Sequence, residues 1–201
     1  MKLAILDRDG TINQDNADFV KSPDEWVPLP GALEAVARLN HAGWHVVVAS
    51  NQSGLGRGLF DVTTLNAIHA KMHKALAAVG GRVDAVFYCP HAEEEGCHCR
   101  KPRPGLFEQI GERYGIDLKA ALVAGDRLRD LQAGVACGCE PHFLLTGKGA
   151  QFRATVARGE PLPATFPPGT VAHTDLGALA DFVIAREQRR ASAPPAPNSS
   201  E

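Results

Sequence analysis

Two aspartates stand two residues apart, Asp7 and Asp9, where the apolar run Leu3-Ala-Ile-Leu gives way to Gly10-Thr11. Such a run reads as a buried strand that stops where its last side chain leaves the core, which puts Asp7 at the strand's C-terminal edge. In an open α/β sheet that edge is where ligands bind. Two carboxylates in one loop suit a divalent cation held by oxygen, or a division of work between nucleophile and general acid. From this stretch alone an Asp-rich turn reads equally well.

Three later segments carry side chains that could join them. Val46-Val-Val-Ala ends in Ser50-Asn51-Gln52-Ser53-Gly54, a hydroxyl and loop amides that either bind phosphoryl oxygens or simply turn the chain. In Arg100-Lys101-Pro102, Lys101 can neutralise Asp7 and an incoming phosphate and Arg100 can clamp an oxyanion bidentately; a solvated basic loop is the plain alternative. Ala121-Leu-Val-Ala124 runs into Gly125-Asp126, with Asp130 one helical turn on. Asp126 would be a third carboxylate at the same edge and the second side-chain ligand for a magnesium ion.

A softer set of donors lies between these segments, in Cys89-Pro-His91 and Cys97-His-Cys99. Two such pairs across a short loop can close a tetrahedron with Zn–S bonds near ~2.3 Å and Zn–N bonds near ~2.1 Å. The spacing predicts Cys89, His91, Cys97 and Cys99 as ligands of a structural zinc with no open position, against reduced thiols or a surface disulfide. His98 is expected to face solvent, Glu93, Glu94 and Glu95 to form a solvated turn, and Cys137 with Cys139 to be a buried or incidental pair.

The elements that must position these residues alternate in type. Strand runs are read at 3–6, 44–49, 83–88, 121–124 and 141–145, with an edge strand at Val171-Ala172. Helical periods follow Pro30-Gly31, the N-cap Asp61, Pro104 as first helical residue (closed by Gly115), and Arg127 to Cys137; Thr174 is expected to cap a last helix. Residues 147–168 read as loop with one short helical turn. The alternation predicts an α/β fold: a Rossmann-like open parallel sheet with helices on both faces. Residues 1–190 are expected to form a single domain with the zinc loop at 89–99, and residues 191–201, rich in Pro, Ser and Ala, a disordered tail. Asp15 to Pro28 and Asn51 to Phe60 read as loops over the active edge.

At 201 residues, 44% of them apolar, the chain can bury a sizeable core, and a net charge of −2 argues against an extended nucleic-acid or membrane surface. No stretch approaches the ~20 apolar residues of a membrane span or the pattern of a signal peptide, so a cytoplasmic protein, a monomer, is expected.

The ordered set Asp7-x-Asp9-Gly-Thr11, Ser50, Lys101-Pro102 and Gly125-Asp126-x-x-x-Asp130 resembles the haloacid dehalogenase superfamily of phosphohydrolases. With the zinc loop and Asn51-Gln-Ser53-Gly-Leu-Gly-Arg57-Gly58, residues 1–148 are similar to the subgroup of D-glycero-D-manno-heptose 1,7-bisphosphate 7-phosphatases, which are related to histidinol phosphatases. The Ser53-Gly54 pair stands nearer the heptose enzymes; Arg127 departs from the Lys that they often carry.

The resemblance implies a minimal cap and a magnesium ion bound by Asp7, Asp126 and the Asp9 carbonyl. It also implies Asp7 as nucleophile, Asp9 as general acid and base, and Ser50 and Lys101 as phosphoryl-holding groups. Asp15, Asp18, Asn51, Gln52, Ser53, Arg57, Arg100 and Arg127 would meet a small phosphorylated sugar from the precursor pathway of lipopolysaccharide. Hydrolysis of histidinol phosphate or another small ester is the alternative activity, and a zinc-loop interaction module with a vestigial site is the non-enzyme alternative.

Overall fold

The computed structural model describes residues 1–192. Six parallel strands form one sheet in the order β3-β2-β1-β4-β5-β6, with β1 at Lys2–Leu6, β2 at Trp44–Asn51, β3 at Ala85–Cys89, β4 at Ala121–Gly125, β5 at Glu140–Leu144 and β6 at Val171–His173. The helices are α1 (Ala32–His41), the short α2 (Ser53–Gly56), α3 (Val62–Ala78), α4 (Gly105–Tyr114), α5 (Leu128–Ala136), α6 (Arg153–Ala157) and α7 (Leu176–Ser192).

Alternate side chains of β1 enter different cores, because successive residues of a strand point to opposite faces. Leu3 and Ile5 pack with Leu106 and Ile110 of α4 and Ala133 of α5. Ala4 and Leu6 pack with Val36 and Leu39 of α1, Ile68 and Met72 of α3, and Leu179 and Val183 of α7. A strand covered on both sides must be apolar throughout, which is why Leu3 to Leu6 show no polar alternation.

The strand order reverses between β1 and β4, the place where doubly wound sheets open a crevice at their carboxyl ends. Here the Asp7 backbone N–H donates to the Ala124 carbonyl at 2.9 Å, so Asp7 and the residues after β4 leave the sheet side by side. Loops rather than a separate cap cover this edge among the described residues.

Several local expectations shift. β3 begins at Ala85: Val83 is buried in the core, but Asp84 closes the strand's entry, donating to the Val46 carbonyl at 2.8 Å and accepting from its N–H at 3.0 Å. Pro104 stands just outside α4, whose first assigned residue is Gly105. Asp175 rather than Thr174 caps α7, its Oδ1 accepting from Ala178 N–H at 2.8 Å. Residues 147–157 hold a 3₁₀ segment and α6, more helix than their glycines promised. Ala191 and Ser192 belong to α7, and the rest of the expected tail, residues 193–201, lies outside the described residues.

Candidate active site

Asp7, Asp126 and Asp130 come from two loops and the first turn of α5, and one carboxylate oxygen from each lies within 4.8 Å of the other two. Oxygens around a magnesium ion with bonds of about 2.1 Å stand about 3 to 4.2 Å apart, a spread close to that of this cluster, in which Asp130 is already engaged by Lys101 and the Arg127 N–H. Gly10, at φ 80°, and Gly147, at φ 46°, let the backbone close on Asp126, since a Cβ on either would fall 2.2 Å from its Oδ2. That Oδ2 accepts from the Lys148 N–H at 2.7 Å, while Oδ1 is buried without a partner among the described residues. Burial, then Asp7 and Asp130, push the Asp126 carboxyl up to about 8. Burial and Asp130 likewise push Asp7 up to about 6, against the pull of Lys101. Three buried carboxylates this close call for positive charge.

Lys101 supplies part of it. Its Nζ lies 3.0 Å from Asp7 Oδ1 and 2.6 Å from Asp130 Oδ1, and donates to the Ala49 carbonyl at 2.7 Å. Although burial works against its charge, Asp130 and Asp7 hold its pKa above the usual lysine value. Asn51 fixes the segment: its amide donates to the Lys101 carbonyl and its oxygen accepts from the Lys101 N–H, both at 3.1 Å. Asp130 also caps α5, Oδ2 accepting from the Arg127 N–H at 3.1 Å.

The Asp9 carboxylate is gripped from the other side. Arg8, wholly buried, reaches Asp9 Oδ1 through Nε at 3.0 Å, while Asn13 and Gln52 donate to Asp9 at 2.9 Å and 3.1 Å. Burial alone would raise the Asp9 pKa, but Arg8 and these hydrogen bonds hold it below the usual carboxylate range. Behind Arg8, His69 Nε2 lies 3.2 Å from Nη1. Burial, then Arg8, press the His69 imidazole down to about 4, so it accepts rather than donates here.

A cleft of about 360 Å³ opens over these groups. Asp7, Asp9, Asp15, Ser50, Asn51, Ser53, Arg57, Arg100 and Arg127 line it, so most of the residues singled out in the sequence meet there. Two do not. Asp18 is exposed in a turn where its N–H donates to Asn16 Oδ1, and it does not line the cleft. Gln52 is buried beneath it, donating to Ser50 Oγ at 2.8 Å as well as to Asp9, so it orients two site side chains instead of facing a ligand.

Sequence reasoning also missed residues. Arg129 and Lys148 line the cleft, and Lys148 stands with Arg127 around Asp15, at 3.9 Å and 2.8 Å. Arg129 follows Asp126 within the same motif, which was the available signal; Lys148 sits in a glycine-rich loop that offered none. The glutamates expected in a solvated turn approach the cleft's arginines, Glu94 at 3.6 Å from Arg57 and Glu93 at 3.8 Å from Arg100.

Beyond β3, Cys89, His91, Cys97 and Cys99 offer donor atoms within 4.8 Å of one another. Cys89 Sγ and Cys99 Sγ each stand 3.5 Å from Cys97 Sγ, and 3.6 Å and 3.3 Å from His91 Nδ1. A tetrahedron with Zn–S bonds of about 2.3 Å has edges of about 3.8 Å, so the four donors match such a site. All five cysteines are free thiols, and Cys137 and Cys139 join no such cluster among the described residues. His98 is exposed, its Nε2 2.6 Å from Glu108.

Residues 1–138 match the family model described as haloacid dehalogenase-like hydrolase. The chain is 56% identical over 184 residues to a D-glycero-beta-D-manno-heptose-1,7-bisphosphate 7-phosphatase of Bordetella bronchiseptica, covering 92% of this chain and 98% of that one. To the Pseudomonas aeruginosa protein of the same name it is 47% identical over 182 residues, 90% of this chain and 97% of that one. Its structure resembles the crystal structure of the D,D-heptose 1,7-bisphosphate phosphatase of B. bronchiseptica complexed with magnesium and phosphate, with a TM-score of 0.84 and 55% identity over 92% of this chain and 99% of that one.

Proposed function

The chain belongs to the haloacid dehalogenase-like hydrolases, and from that premise we propose that it is a magnesium-dependent phosphatase removing the 7-phosphate of D-glycero-D-manno-heptose 1,7-bisphosphate. The observation that carries the chemistry is the meeting of Asp7, Asp126 and Asp130 around one point, with Lys101 bridging two of them. The heptose substrate rests on full-length relatives that bear this activity in their names, all specifying the beta anomer.

In this reading Asp7 Oδ1 is held by the Arg8 N–H and Lys101, leaving Oδ2 to attack phosphorus in line. The bond from phosphorus to the sugar oxygen breaks, and Asp9 gives that oxygen a proton. The approaching phosphate supplies the negative charge that raises Asp9 out of its depressed range, so that it takes up a proton from solvent before passing it on. Water then attacks the aspartyl-phosphate, Asp9 takes its proton, and orthophosphate leaves. Magnesium, held by Asp7, Asp126 and the Asp9 carbonyl, would offset the charge of nucleophile and phosphate. Ser50, the Asn51 backbone N–H and Lys101 hold the transferring oxygens, and Arg57, Arg100 and Arg127 meet the remainder of the substrate.

Zinc on Cys89, His91, Cys97 and Cys99 fixes the loop that ends in Arg100 and Lys101, a structural role for a four-ligand site. Free thiols at all five cysteines fit a reducing, cytoplasmic compartment, and no helix among the described residues is long and apolar enough to cross a membrane. The reaction then belongs to the making of nucleotide-activated heptose for lipopolysaccharide.

The test is phosphate release from both anomers of the bisphosphate and from histidinol phosphate, with and without magnesium. Release from carbon 7 only when magnesium is present is expected; no turnover of either anomer rejects the substrate.

A further inference from the structure

Arg8 stands between the two aspartates of the first loop, and its side chain is wholly buried. Its backbone N–H donates to Asp7 Oδ1 and its carbonyl accepts from the Ile12 N–H, both at 2.8 Å, so the loop is wound around it. The guanidinium turns to Asp9. Nε reaches Oδ1 at 3.0 Å, while Nη2 reaches Oδ1 at 2.9 Å and Oδ2 at 3.0 Å, so one planar group fixes both carboxylate oxygens. Asn13 and Gln52 each add one donor.

A fork holds a carboxylate only as firmly as it is itself held. Gln52 Oε1, 3.4 Å from Nη2, is a weak stay. On the other side of the guanidinium, Nη1 has one partner among the described residues, His69 Nε2 at 3.2 Å. His69 is buried in the middle of α3, a helix outside the loop whose place is set by Ile68 and Met72 in the core. An imidazole accepting at Nε2 is neutral and carries its proton on Nδ1. Burial and Arg8, which press its pKa down to about 4, keep it so. Neutrality matters here: a carboxylate at this point would compete with Asp9 for the guanidinium, whereas a neutral acceptor pairs the buried N–H and leaves the charge directed at Asp9.

We propose that His69 is a positioning residue for the phosphatase reaction, acting through Arg8 to hold the Asp9 carboxylate where it meets the leaving oxygen. This rests on the role given to Asp9 above and does not depend on which sugar is the substrate. Without the acceptor, Nη1 keeps a buried N–H unpaired, the guanidinium shifts to find another, and the Asp9 carboxylate shifts with it. Ser50, Lys101 and the arginines of the cleft still hold the substrate, so the loss falls on kcat and not on KM.

The test compares His69→Leu, His69→Gln and Asp9→Asn on the phosphorylated sugar that the enzyme turns over and on 4-nitrophenyl phosphate, with magnesium present. On the sugar, His69→Leu is expected to lower kcat about tenfold with KM changed less than about twofold, the cost of a small misplacement. His69→Gln, whose amide oxygen accepts from Nη1, should return to within about threefold of the wild type. The nitrophenolate leaves without a proton, so the first turnover of that ester should run in His69→Leu as in the wild type. Hydrolysis of the aspartyl-phosphate, in which Asp9 takes the proton of water, should be slowed, giving a burst of about one nitrophenolate per chain.

Asp9→Asn should show the same dependence on the leaving group more strongly. Equal losses on both esters in His69→Leu, a loss confined to KM, or a Gln variant no better than the Leu variant overturns the proposal. Wild-type turnover of the sugar by Asp9→Asn would overturn the role of Asp9 and this inference with it. If Asp9→Asn behaves as expected and His69→Leu matches the wild type, only the role of His69 falls. Melting curves show whether each variant is folded, and His69→Ala carries the same expectation should His69→Leu not fold.

Discussion

The carboxylate cluster and the thiol cluster each bring donor atoms within 4.8 Å of one another, and they are assembled in opposite ways. Asp7, Asp126 and Asp130 are brought together across the sheet from distant parts of the chain, in a buried place where their charges oppose one another. Burial, Asp7 and Asp130 raise Asp126 to about 8, the mark of a site that holds like charges near each other for the sake of what they bind. Cys89, His91, Cys97 and Cys99 lie within one short loop, and their donors already approach tetrahedral edges. The first cluster needs the whole sheet to exist. The second should shape only its own loop, and through it Arg100 and Lys101.

The widest separation between the two comes from Asp7→Asn. Phosphatase activity should fall by about a thousandfold or more, because the nucleophile is gone, while the melting temperature holds or rises, because one of three opposed charges is removed. Unchanged activity would mean that the cluster is not catalytic; this outcome would also revive the vestigial-site reading.

Gly10→Ala probes the same cluster without removing a charge. A Cβ there falls 2.2 Å from Asp126 Oδ2 on a backbone at φ 80°, so the carboxylate must move. A misplacement of this kind costs about tenfold to a hundredfold in kcat/KM. Wild-type kinetics would show that Asp126 need not stand where it does.

Cys97→Ser acts on the other cluster. Metal analysis should show one zinc per chain lost and the melting temperature lowered by several degrees, about 2–4 °C for each kcal/mol at this size, with kcat/KM falling tenfold or less. A loss of activity as deep as that of Asp7→Asn would place the zinc loop in the chemistry itself.

A smaller effect lies outside both clusters and serves as their acid control. His142 Nδ1 and His173 Nε2 are 2.9 Å apart between β5 and β6, and burial pushes both imidazoles down to about 4. Their unfolded values are near 6.5. A histidine depressed on folding contributes stability that is present above about pH 6.5 and lost as pH falls toward 4, a few kcal/mol at most for the pair. Denaturant unfolding from pH 8 to pH 4 should show that decline set against the opposite gain from protonating Asp126 and Asp7, and His142→Phe should flatten it. An unflattened decline would assign the acid sensitivity elsewhere.

Much of this was readable along the chain. The end of β1 at Asp7, the N-cap at Asp61, whose Oδ1 accepts from Thr64 N–H at 2.7 Å, and Gly115 closing α4 at φ 62° all follow from local rules of patterning and backbone freedom. The thiol cluster was equally readable, because its ligands are near in sequence and short loops leave few ways to arrange them. Less readable were contacts that depend on which loops become neighbours. Asp18 and Gln52 have the right chemistry, but one stands in an exposed turn and the other lies beneath the cleft. Arg129, inside the Gly125–Asp130 motif, and Lys148, with no signal of its own, both line the cleft.

The sequence by itself determined the alternation of strands and helices, the strand ends that carry Asp7, Ser50 and Asp126, and the four soft donors that cluster after β3. These rest on interactions a few residues long: hydrophobic period, caps, turn chemistry and ligand spacing. Only the tertiary structure decided that Lys101 bridges Asp7 and Asp130, that Arg8 and Gln52 grip Asp9, and that Arg129 joins Arg100 in lining the cleft. Those pairings join charges from separate loops, and charge type alone does not choose a partner until the order of the strands has set which loops meet.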